Sequence, residues 1–124
     1  MATGDYLKTA AASLRNAAVS LQQQAKELQG NFLRLKTDKT TLIDHNKLEI
    51  KARQMEVDAT QHDDQHRSRL SREIQKMQEE IMAAEQQLKQ AEADIQNAVK
   101  AKLDSSAAIE NQAKQLESQA SSLD

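Results

Sequence analysis

The chain contains no cysteine, no proline and no tryptophan, and its only glycines are Gly4 and Gly30. Without cysteine there is no disulfide, no thiolate metal site and no thiol redox chemistry. Without proline, and with so little glycine, almost nothing in the sequence interrupts a helix. Aromatic residues make up 2% of the chain, Tyr6 and Phe32 alone, so the large side chains that dominate cores and ligand pockets are missing. No window approaches the roughly 18 consecutive apolar residues of a membrane span. Residues 1–5 lack the basic and apolar stretches of a secretory signal. A soluble, cytoplasmic protein is the expectation. Charge of one sign is also lacking: 17 basic and 19 acidic side chains leave a net charge of -2. Their interleaving gives no field that selects a polyanion or an anionic membrane.

What is present is helix-forming. The 124 residues are 38% hydrophobic, with Ala, Leu, Gln, Glu and Lys prominent, the residues that lose least on entering a helix. Leucine recurs every seven residues at Leu7, Leu14, Leu21, Leu28, Leu35 and Leu42, and the position four further on holds Ala11, Ala18, Ala25 and Phe32. Together these form the two-row seam of a coiled coil. The second half has its own seam, with Ile74, Ile81, Leu88, Ile95, Ile109, Leu116 and Leu123 spaced by sevens and Lys102 as the exception. Beside it run Leu70, Met77, Ala84, Ala91 and Ala98, and that companion row then moves one position along, to Val99, Ala113 and Ala120. Small residues alternating with large ones let helix axes approach closely.

The fold class that follows is all-α: a long antiparallel helical hairpin, a coiled coil, dimerising into a four-helix bundle. The whole chain reads as one domain, with helix 1 over about 5–59, a turn over about 60–64 and helix 2 over about 65–122. The seam is interrupted between Lys39 and Arg67, where core positions hold Asn46, Glu49, Arg53, Glu56, Thr60 and Asp63. A turn near Gln61 and His62 brings Leu14 level with Ile109, Leu28 with Ile95, and Leu42 with Ile81. Asp63 or Asp64 then caps the second helix. Two other architectures fit the same periodicity. One is a single long helix dimerising in parallel, and the other is a three-helix chain broken near Gly30 and Asn31, with Thr41 and Asp44 as an imperfect capping box.

Candidate sites are few. Ile43, Ile50 and Val57 form one apolar row of the middle segment, and Leu48, Ala52, Met55 and Ala59 form another on nearly the opposite side. One partner helix cannot bury both. Ile43, Ile50, Val57, Leu48 and Met55 are therefore expected either to join a larger bundle or to dock another helical protein. His62 and His66, four apart with Asp58, Asp63 and Asp64 nearby, have spacing that can hold a metal. They lack the glutamate of the metalloprotease helix, and no metal or other cofactor is expected. Arg67, Arg69, Arg72 and Lys76, with Lys47, Lys51 and Arg53, set basic groups near the tip, where they can contact phosphates, but no stacking aromatics accompany them. Dimeric hairpins with layered Leu and Ala cores resemble the plasmid-encoded Rop family, which binds paired RNA loops. That likeness is one of architecture and assigns no residue here.

Catalysis needs positioned groups in a site that limits water, and the pattern offers none, so no enzyme is expected. The expected function is a structural or interaction protein, such as a scaffold, adaptor or chaperone-like accessory, acting by self-association and partner docking. The alternative is a dimeric nucleic-acid-binding hairpin that uses the basic tip.

Overall fold

A computed structural model describes residues 3–60 and 62–123. It consists of two long helices packed against each other, α1 (Thr3–Ala59) and α2 (Asp64–Leu123), with no strand among the described residues. The chain is thus an all-helical hairpin. The single unbroken helix and the three-helix alternative both fall. Gly30 lies inside α1, where a Cβ would meet nothing within 4 Å, so it marks neither a helix end nor a close approach. The poor helix formers after it are helical all the same, with Thr37 Oγ1 donating to Leu33 O and Thr41 Oγ1 to Thr37 O, each at 2.9 Å. These bonds return the hydroxyls to the helix backbone instead of letting them compete with it.

Among the described residues of the reversal none has a positive φ. Thr60 N still donates to Glu56 O at 3.1 Å, which closes the last turn of α1. Asp63 then caps α2, its Oδ1 accepting from His66 N at 3.0 Å while its carbonyl accepts from Arg67 N. That satisfies amide donors that a helix start leaves open. Gln61, taken with His62 as the point of the turn, lies outside the described residues.

The chain divides into two compact units. Unit 1 joins Met1–Asn31 to Asp94–Asp124, and unit 2 is Phe32–Ala93.

In unit 1 the most enclosed residues are the small ones. Ala11, Ala18 and Ala25 on α1 are buried against Val99, Ser106, Ala113 and Ala120 on α2. All are spaced by sevens, so the smallest side chains form the middle of the interface, where backbones can come closest. Leu7, Leu14, Leu21 and Leu28, with Ile95, Ile109 and Leu116, are only half-buried. The leucine row is therefore the edge of this interface and the alanine row its centre.

In unit 2 the core is Ile43, Ile50, Ile81 and Ala84, with Ile74, Met77 and Leu88 packed on it, and Leu70 is buried as well. Two expectations need correction here. Leu35 and Leu42, read as seam residues, are exposed within the hairpin, and Ile43 and Ile50 on the other edge of α1 are buried instead. Both leucines stand three positions beyond the row that runs through Phe32, Lys39, Asn46 and Arg53, and in this unit the buried apolar residues of α1 are the ones four beyond it. The apparent interruption of the seam is the second correction. Asn46 is buried and Arg53 half-buried at seven-residue spacing, so polar residues occupy the seam rather than breaking it.

Candidate functional site

On a helix, the residues three and four positions beyond a buried one lie on opposite sides of it. This rule sorts the two edges of each interface.

In unit 1, the residues four beyond the alanine row are polar. Arg15 Nη2 donates to Glu117 Oε2 at 2.8 Å, and Gln22 Nε2 donates to Glu110 Oε1 at 3.4 Å and to Ser106 Oγ at 3.1 Å. Ser106, only 2% exposed, donates in turn to Ala18 O at 3.0 Å, so its buried hydroxyl is fully used. The residues three beyond the buried row are Leu14, Leu21 and Leu28 on α1, and Lys102, Ile109 and Leu116 on α2. Since the polar edges of the two helices meet each other, so do the apolar ones. Unit 1 thus has one edge closed by hydrogen bonds and one apolar edge, built from both helices and left half-open. Beyond the apolar edge stand Ala10, Ala17 and Gln24 on α1 and Ala98, Ser105 and Gln112 on α2, none of them charged. Lys102 is the exception within the edge, its Nζ donating to Gln24 Oε1 at 2.8 Å.

Unit 2 is sided the other way. Residues four beyond the seam are apolar, with Ile50 and Val57 facing Ile74, Ile81 and Leu88, and this edge is the well-buried core already described. Residues three beyond it include Glu49, Glu56, Glu73 and Glu80, which the polar seam residues Asn46 and Arg53 engage in part. Arg53 donates from Nε to Glu73 Oε2 at 2.9 Å and from Nη1 to the Glu49 carboxylate, while Asn46 Nδ2 donates to Glu80 Oε2 at 3.4 Å. The Arg53 hydrogen bond, and then its charge, hold the Glu49 carboxyl below its ordinary value of 4.5, and the two carboxylates hold Arg53 more firmly protonated. An unfolded Glu49 takes up a proton more readily than the folded one. The pair's stabilisation is therefore full above about pH 4.5 and is lost as pH falls through the lowered folded-state value. Thermal unfolding measured from pH 7 down to pH 3 is expected to show a smaller acid loss in Glu49→Gln than in the unaltered chain. Superimposable acid profiles would show that the pair contributes nothing.

The expected docking residues separate accordingly. Ile43 and Ile50 are consumed in the core of unit 2, and Val57 is half-buried beside them. That correction leaves Leu48, 69% exposed, and Met55, 65% exposed, with Ala52 and Ala59 on the outward side of α1.

The tip residues do not converge on one point. His62 is exposed in the turn. His66 Nε2 donates to Glu56 Oε1 at 2.9 Å, and its Nδ1 accepts from Arg69 at 3.3 Å, which commits both ring nitrogens. Among the described residues no three His, Asp or Glu come together as a metal site would require. Arg53 is tied to two carboxylates, and Arg67 is half-buried with its Nε enclosed and without an acceptor among the described residues. Arg69, Arg72 and Lys76 remain exposed on one side of α2. Arg69 and Arg72 line a shallow depression with Asp64, Gln65 and Ser68, in which Asp64 opposes an anion.

The chain matches no protein-family model, no curated protein and no solved structure. No described helix is long and apolar enough to cross a membrane. Residues and geometry therefore carry the functional reading.

The sequence reading missed the division of each interface into a polar and an apolar edge. The signal was present: Arg15, Gln22, Glu110 and Glu117 all stand four beyond a small residue of the buried rows.

Proposed function

We propose that this chain is a non-catalytic structural and interaction protein, a scaffold, adaptor or chaperone-like accessory that works by helix-helix association. Two hairpins pack through their apolar edges into a four-helix bundle, and the outward Leu48 and Met55 row is available to a further helical partner.

The observation that carries this reading is the half-open apolar edge of unit 1, supplied by both helices and rimmed by uncharged residues. Such an edge gains by being covered: a fully buried Leu or Ile is worth about 1.5–3 kcal/mol relative to an exposed one. In unit 2 the apolar edge is already closed, so unit 1 is where a second copy gains most.

The nucleic-acid alternative has less support, because Glu73, Glu79 and Glu80 stand among the exposed Arg69, Arg72 and Lys76, and neither these nor the exposed Lys47 and Lys51 are accompanied by stacking aromatics.

Sedimentation equilibrium over a wide range of protein concentration tests the proposal. The expected result is a helical dimer whose dissociation follows dilution. A chain that remains monomeric at several hundred micromolar would remove the reading.

A further inference from the structure

Lys102 is the one charged residue in the apolar edge of unit 1, at the seven-residue position between Ile95 and Ile109. It is half-buried, and its ammonium is held rather than loose. Gln24 accepts from Lys102 Nζ at 2.8 Å while its own Nε2 donates to Ser20 Oγ at 3.5 Å, so the amide is oriented toward the lysine from the α1 side. We infer that Lys102, positioned by Gln24, sets the register and the number of chains in the self-assembled form. This inference rests on the self-association reading above and names the residue that gives that association its specificity.

The argument is one of desolvation. When a second copy covers the edge, the leucines and isoleucines gain and the ammonium loses water. An isolated charge sealed in an apolar interior is strongly unfavourable. The lysine stem is long enough to lead the charge to a rim that stays wet. Gln24 already draws it that way. A two-hairpin assembly leaves such a rim open. An assembly that covers the edge from both sides would take that outlet away and leave the ammonium the larger desolvation cost. A single polar residue in a helical seam acts in this way, fixing register and oligomer state while lowering stability.

The test compares Lys102→Leu, Lys102→Arg and the unaltered chain by sedimentation velocity and by urea unfolding at matched concentrations. The unaltered chain and Lys102→Arg, which keeps the charge, are expected to form one dimeric species. Lys102→Leu is expected to associate about tenfold more tightly or better, which is about 1.4 kcal/mol, and to populate species larger than the dimer. A Lys102→Leu protein that stays a single dimer, tighter or not, overturns the inference and leaves self-association standing. An unaltered chain that never leaves the monomer overturns both.

Discussion

Replacing Ala18 by leucine is expected to lower the stability of the folded chain by about 1–3 kcal/mol, although leucine forms helix nearly as well as alanine. Ala18 is fully buried at the centre of the unit 1 interface, and its carbonyl accepts the Ser106 hydroxyl at 3.0 Å. A larger side chain there must push α2 away. Moving α2 strips Ser106 of its acceptor and loosens the contacts of Ala11 and Ala113 beside it. Urea unfolding monitored by circular dichroism reads the change directly. Leu48→Ala, on the exposed side of α1, serves as the contrast and is expected to shift stability by no more than about 0.5 kcal/mol. If Ala18→Leu proved neutral or stabilising, the helices would not be in close approach along the alanine row.

The second large effect separates folding from association. Leu21→Asp combined with Ile109→Asp alters two half-buried positions of the apolar edge and leaves the alanine row intact. Each position gains about half its burial free energy only when a second copy arrives. Summed over the four altered residues of a dimer, the loss is about 3–6 kcal/mol, or roughly a hundredfold to ten-thousandfold in dissociation constant. The expected protein is monomeric at concentrations where the unaltered chain is dimeric. It keeps most of its helical signal, because the buried alanines, the Arg15 to Glu117 ion pair and the core of unit 2 remain. A double variant that still dimerises would place the interface elsewhere on the molecule.

The heptad rows were legible in the sequence because side-chain spacing is a local property. The α2 rows include the move of the companion row from Ala98 to Val99, and both positions lie in the interface, Val99 the more deeply. The place of the reversal was legible too, from Asp63 as a helix-capping residue. Depth was not, because hydrophobicity ranks Leu above Ala while close-packed helices put the smallest residue at the centre. Leu35 and Leu42 were misread because the apolar edge of α1 lies three positions beyond the seam in unit 1 and four beyond it, at Ile43 and Ile50, in unit 2. The polar seam of unit 2 was hidden by its non-local partners. Asn46 reads as a break until Glu80 is seen across from it, and Arg53 until Glu49 and Glu73 are seen to hold it.

The reversal at Asp63 also orders events in time. Arg53 meets Glu73 across 20 positions of the chain, but Arg15 meets Glu117 across 102. Closing a short loop forfeits less chain entropy than closing a long one, and each contact made near the turn shortens the loop that the next must close. Folding is therefore expected to zip outward from the turn, with the widest-separated pairs last. On a ribosome Ala11 and Ala18 emerge well before Ser106 and Ala113, which complete their interface. Through that interval the alanine row of α1 stays uncovered, and so do Leu14, Leu21 and Leu28 beside it.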